Sequence, residues 1–197
     1  MANGGTTIGI KAVDGVVLAG EKRISYNGFI LSKAARKVHP ITDHVGVAFA
    51  GLYGDTQMLV RMLKTEAQYY HLEIGKEISV RALAKVLSNI LYSYKLFPFY
   101  AESIVGGVDE KGPQVYVLDP VGSLIEDDYT ATGTGAPLAM GVIETNYRKD
   151  IKVEEAVELA KKAIEEAIRR DAISGDGIDL LVITREGYKL EEILFKR

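Results

Sequence analysis

Three charged residues near the start of the chain, Glu21, Arg23 and Lys37, are the first candidates for chemistry. They are either the charged part of a site or a plain ion-pair network, since structural pairs perturb charges as readily as functional ones. Asp171 follows Arg169-Arg170 and, alone, reads as a solvated helix end. Gly133-Thr134-Gly135 alone reads as a turn, and Ser174-Gly175-Asp176-Gly177 as a loop, because Gly and Asp are common turn formers. The sequence has no cysteine, which excludes disulfides, thiolate metal sites and cysteine nucleophiles. Its three histidines are scattered.

Any such residues need a scaffold, and the chain is long enough to supply one. At 197 residues it fits one domain, residues 1–197, with a sizeable core. A composition 47% hydrophobic and 26% charged is that of an ordinary globular protein, not a disordered one. The formal net charge of -3 lacks the basic surplus usual in nucleic-acid binders. No apolar run approaches the ~18 residues of a membrane span. The first residues lack the basic and apolar regions of a signal peptide, so a cytoplasmic location is expected.

Thr6 to Ala12 and Val16 to Ala19 read as strands, joined at Asp14-Gly15, a pair that favours a two-residue turn with positive φ. That turn would set Thr7 opposite Lys22 and Ile8 opposite Glu21. Because side chains alternate, Gly5, Thr7 and Gly9 share one face and Thr6, Ile8 and Ile10 the other. His44 to Ala50 is a further apolar run. Leu59, Met62, Leu63, Ala67 and Tyr70 then recur at helical spacing up to Gly75. A second helix follows Ser79, a plausible N-cap, with Leu83, Val86, Leu87, Ile90, Leu91 and Tyr94 on one stripe. Strands follow at about Glu102–Val108 and Gln114–Leu118. A short helix is expected near Pro137 and a longer one over Val153–Arg170, before closing strands at Ile178–Thr184 and Lys189–Ile193. Helices come in pairs rather than alternating singly with strands. An α+β fold is therefore expected, as a four-layer α-β-β-α sandwich, rather than a doubly wound parallel sheet. Pattern alone admits other α+β domains.

Seven segments in order and in register carry a resemblance. They are Gly5-Thr-Thr-Ile-Gly-Ile10, Asp14-Gly-Val-Val-Leu-Ala-Gly-Glu-Lys-Arg23, Ser32-Lys-Ala-Ala-Arg-Lys37, Ala50-Gly-Leu-Tyr-Gly-Asp55, Gly106-Gly-Val-Asp109, Ala131-Thr-Gly-Thr-Gly135 and Arg170-Asp-Ala-Ile-Ser-Gly-Asp-Gly177. Together they resemble the proteasome β subunits, over nearly the whole chain. The resemblance implies an N-terminal-nucleophile hydrolase fold and a threonine-type endopeptidase needing no cofactor and no metal. In that family the hydroxyl of an N-terminal threonine attacks. Its own α-amino group, which ordinarily titrates at ~7.7–8.0, serves as base. Carried onto this chain, Glu21 is the acidic residue beside the nucleophile, Lys37 the lysine that lowers the hydroxyl's pKa, and Arg23 a supporting arginine. Gly51 supplies an oxyanion N–H. Asp171 and Ser174 orient the N-terminus, and Thr134 stands where serine is usual. Ile24, Ala35, Phe49 and Tyr53 are expected to line the substrate pocket, although Phe49 could simply pack in the core. Implied partners are α subunits and other β subunits in stacked seven-membered rings, an ATP-dependent unfoldase acting through the α ring, and unfolded polypeptides. Neither nucleic acid nor membrane is implied.

The departure lies at the nucleophile. Counting back without gaps puts that position at residue 5, which is Gly5, so residues 1–4 or 1–5 form a short propeptide-like start. A non-catalytic or inactivated subunit is expected. Two alternatives stand beside it: an active enzyme cut after Gly5, with Thr6 as nucleophile on the opposite strand face, and a non-enzymatic scaffold subunit or module.

Overall fold

The computed structural model describes residues 4–195. Residues 1–3 of the propeptide-like start lie outside that range. The order is β1 (Thr6–Lys11), β2 (Gly15–Glu21), β3 (Ile24–Tyr26), β4 (Phe29–Ser32), β5 (Val38–Pro40), β6 (Val45–Gly51), α1 (Tyr53–Ile74), α2 (Val80–Ser93), β7 (Ala101–Asp109), β8 (Gly112–Leu118), β9 (Leu124–Asp127), β10 (Tyr129–Gly133), α3 (Ala136–Asn146), α4 (Val153–Arg170), β11 (Gly177–Thr184) and β12 (Gly187–Leu194). One antiparallel sheet runs β10-β1-β2-β11-β12 and a second runs β5-β6-β7-β8-β9, with β3-β4 as a separate ribbon.

Three hydrophobic cores separate four layers. Val16, Leu18, Ala48, Ile104 and Leu181 fill the space between the sheets. Ile8, Ile10, Val17 and Ala19 turn outward against α3 and α4, where Ala156, Ala160, Ala163 and Ala167 let the helix approach closely. Phe49, Val47 and Val105 pack against Leu59, Leu63, Leu83 and Leu87 of α1 and α2. The fold is the expected α-β-β-α sandwich. β2 is buried on both faces, which is why it reads as a continuous apolar run rather than an alternating one.

The β1–β2 turn is not where the sequence puts it. Val13 and Asp14 form it, closed by Ala12 N–H donating to the Gly15 carbonyl at 2.8 Å. Thr7 pairs with Gly20 and Ile8 with Ala19. Neither Asp14 nor Gly15 has a positive φ. Asp14 instead caps α4, its Oδ1 accepting from Val153 N at 2.9 Å. Gly15 is small because a Cβ there would come within 2.6 Å of the Ile183 carbonyl. The shift is two residues, so every β1 side chain keeps its expected face.

The β3–β4 hairpin is not among the expected elements, although its signal is present in the sequence. Asn27 and Gly28 both take positive φ, 48° and 80°, at the hairpin tip. Ser79 caps α2 as expected, its hydroxyl accepting from Ala82 N at 3.2 Å. The described helices include none long and apolar enough to cross a membrane.

Candidate active site

The ends of β1, β2 and β6, the segment before β5, the turn after β10 and the loop after α4 meet at one edge of the sandwich. Glu21 closes β2 and is fully buried. Its Oε2 accepts from Arg23 N at 2.7 Å and Gly175 N at 2.9 Å, and its Oε1 accepts from Thr6 N at 3.3 Å. Oε1 also pairs closely with the Lys37 ammonium. Lys37 Nζ donates in addition to the Arg23 carbonyl at 2.7 Å. Arg23 is anchored in turn by Asp176 Oδ2 at 2.7 Å and the Ala172 carbonyl at 3.1 Å. The three charged residues thus form one network.

Burial is the main influence on Lys37. It pushes the ammonium down from the usual 10.5 to about 7, with the Asp171 carboxylate acting in the opposite direction. A lysine in that state is a responsive positive charge rather than a permanent one.

A second chain of hydrogen bonds runs from α4 to β1. Asp171 Oδ2 accepts from Thr134 Oγ1 at 2.6 Å and from Ser174 Oγ at 2.7 Å. Each hydroxyl has one proton, and an ionised carboxylate only accepts. Ser174 Oγ is therefore the acceptor in its 2.8 Å contact with Thr6 Oγ1. Thr134 Oγ1 accepts from Gly5 N at 3.1 Å.

Residues 5 and 6 face apart. A Cβ built on Gly5 points at Lys37 Nζ and at Glu21 Oε1, the latter 2.5 Å away. The Thr6 hydroxyl is buried on the other side against Ser174. Gly5, Glu21, Arg23, Lys37, Thr134, Asp171 and Ser174 are thus connected in space, although their sequence separation reaches 169 residues between Gly5 and Ser174 (174 − 5).

Gly51 ends β6 at φ 144° and lines a cleft of about 250 Å³ with Gly4, Tyr100, Glu102, Gly133 and Thr134. A side chain at residue 51 would run into the Tyr100 carbonyl. Ile24, Ala35, Phe49 and Tyr53 do not line this cleft. Phe49 donates its N–H to the Lys37 carbonyl at 2.9 Å, while its side chain sits in the core under α1 and α2. Glu102 has no place among the residues singled out from sequence. Its carboxylate accepts from Gly133 N at 2.7 Å at the cleft wall, and a single acidic residue in a strand gives no signal of that. The described residues include no group of three or more His, Asp or Glu side chains arranged to hold a metal ion.

Comparison with known proteins gives the family. A family model described as "Proteasome subunit" matches residues 1–183. The chain is 64% identical over 193 residues to proteasome subunit beta 1 of Staphylothermus marinus, covering 98% of this chain and 91% of that one. It is 57% identical to proteasome subunit beta 1 of Desulfurococcus amylolyticus, covering 98% and 95%. Proteasome subunit beta 2 of Caldivirga maquilingensis is 52% identical, covering 96% and 94%. The chain belongs to the proteasome subunit family.

Proposed function

We propose that this chain is a β-type subunit of an archaeal 20S proteasome core particle and is itself non-catalytic. It helps to build the inner rings of a stack of seven-membered rings, flanked by α subunits. Active β partners cut unfolded polypeptides delivered through the α ring by an ATP-dependent unfoldase, in the cytoplasm. The observation that carries this reading is the direction of residue 5. Its missing side chain points into the Lys37–Glu21 pair, where a hydroxyl would meet a cation and a carboxylate.

In a competent site of this kind, Lys37 would stabilise the developing alkoxide, and Glu21 would hold Lys37. Arg23, fixed by Asp176, would brace both. Thr134, Asp171 and Ser174 would orient the free α-amino base, and the Gly51 N–H would hold the oxyanion. Here Gly5 lacks the hydroxyl, and while Gly4 remains attached its nitrogen is an amide that donates to Thr134. An amide nitrogen is no base, so a chain that keeps Gly4 would lack both halves of the chemistry.

Thr6 as nucleophile is disfavoured because its hydroxyl is engaged by Ser174 on the opposite face from Lys37. The test is co-expression with α subunits, with and without an active β partner, followed by sizing and fluorogenic-peptide hydrolysis. The expected result is a ring-sized particle in both cases, with hydrolysis only when the partner is present. A chain that stays monomeric with both present contradicts the assembly reading.

A further inference from the structure

The backbone before β1 passes through a slot that excludes side chains on both sides. A Cβ at residue 4 would lie 2.9 Å or less from three atoms of Thr134, including its methyl. A Cβ at residue 5 would meet Lys37 and Glu21 across the slot. The floor is equally tight, because a Cβ on Gly133 would strike the Gly5 carbonyl. Gly5 also holds φ at 123°, a conformation that L side chains rarely adopt. The dihedral φ of residue 5 turns the Gly4 carbonyl about the N–Cα bond, so it sets the direction in which the preceding chain leaves. Here that direction places Gly4 in the wall of the Gly51 cleft. It leaves Gly5 N–H aimed at Thr134 Oγ1.

We propose that Gly5 is a backbone hinge that lays Gly4 into the cleft, so that Gly4 closes part of the space beside Gly51. This rests on the reading of the chain as non-catalytic and extends it. The glycine does more than omit a hydroxyl. It gives the Gly4–Gly5 backbone a path that threonine or alanine cannot follow, and Lys37 takes the volume that a residue-5 side chain would fill. Restoring the hydroxyl by Gly5→Thr therefore also requires the preceding chain to leave the slot.

Chirality tests the slot directly, because an L side chain at residue 5 meets both the unfavourable φ and the crowding by Lys37 and Glu21. The full chain can be made with L-alanine or D-alanine at residue 5 by ligating residues 1–11 to a chain bearing cysteine at position 12, then desulfurising that residue to the native Ala12. The sequence contains no other cysteine, which permits this route. The readouts are hydrogen exchange of the residue-5 amide by NMR and the melting temperature. With glycine the amide is protected by roughly tenfold or more relative to an open chain. L-Alanine should abolish that protection and lower the melting temperature by roughly 3–8 °C, as a residue barred from its native φ does. D-Alanine, which favours positive φ, should retain both. Retention with L-alanine, or equal loss with both enantiomers, would overturn the hinge. Neither readout involves peptide hydrolysis, so the hinge can fail while the non-catalytic reading stands.

Discussion

Two buried lysines, fifteen residues apart in sequence (37 − 22), sit in opposite kinds of environment. Lys22 points away from the site between Glu21 and Arg23, and is 1% exposed. Its Nζ meets both oxygens of fully buried Asp179, at 2.9 and 3.0 Å, and Glu192 Oε1 at 2.6 Å. These bonds tie β2 to β11 and β12. Lys37, 6% exposed, has one close carboxylate and a carbonyl, and it fills the space a side chain on Gly5 would enter. The difference separates a lysine enclosed by carboxylates from one that, in the proposed reading, faces the nucleophile position. Lys22 is enclosed by two carboxylates that fix the strand, and the strand in turn points Glu21 and Arg23 at the site. Lys37 is buried with its pKa lowered to about 7, and its ammonium lies where a side chain at residue 5 would point.

The contrast between the two lysines should break most visibly at Lys22. Lys22→Met leaves the buried Asp179 carboxylate without its cation and should cost about 3–5 kcal/mol in urea unfolding. Adding Asp179→Leu should recover much of that loss, since replacing both members of a buried pair with apolar groups is often neutral. A loss below ~1 kcal/mol for Lys22→Met would show that the triad does not hold β2 in place.

Lys37 should be distinguished by pH rather than by size of loss. Its folded pKa of about 7 lies below the usual 10.5, so between those values the unfolded chain binds more protons. Stability should therefore rise as pH increases through that window, by at most about 1.4 kcal/mol per unit from this group. Lys37→Met should flatten the rise. An unchanged slope in the variant would mean that Lys37 is an ordinary ion-pair lysine.

His39, two residues further on, shows its effect on the acid side. Burial, as the main cause, lowers its pKa from 6.5 to about 4. Its contribution is present above 6.5 and is lost as pH falls towards 4, where the unfolded chain takes up the proton first. His39→Gln should remove that acid-side component, read as unfolding free energy between about pH 7 and 4. The smallest effect is expected at the α2 cap, remote from both lysines. Ser79→Ala should cost about 1 kcal/mol, without altering either pH slope.

The legibility of the molecule followed its physics. The α4 helix was readable because Ala156, Ala160, Ala163, Ile164 and Ala167 keep helical spacing, and its limits are those expected, Val153–Arg170. β10 was not, because its buried positions are Thr130 and Thr132, so the inward face carries no apolar alternation. The β1–β2 register was misplaced because Asp14-Gly15 carries a turn signature while serving a helix cap and a close backbone approach. The site residues became legible only through family resemblance. Glu21, Lys22 and Arg23 are three consecutive charges, and composition cannot say that the middle one faces away from the other two. Glu102, Gly175 and Asp176 act through a carboxylate on a backbone N–H, a backbone N–H on Glu21, and a contact with Arg23, none of which leaves a pattern in sequence.

The proposed loss of activity depends on residue 5 being the matched nucleophile position, on the Lys37 side of the strand, and on its being glycine. The most direct test is the intact mass of the chain after assembly with α subunits alone, together with fluorogenic-peptide hydrolysis by that particle. Gly4 and Gly5 are predicted to remain joined to Thr6, with hydrolysis at background. A chain beginning at Thr6, in a particle that cuts peptides efficiently, would contradict this and move the nucleophile to the face of the strand that Ser174 now occupies.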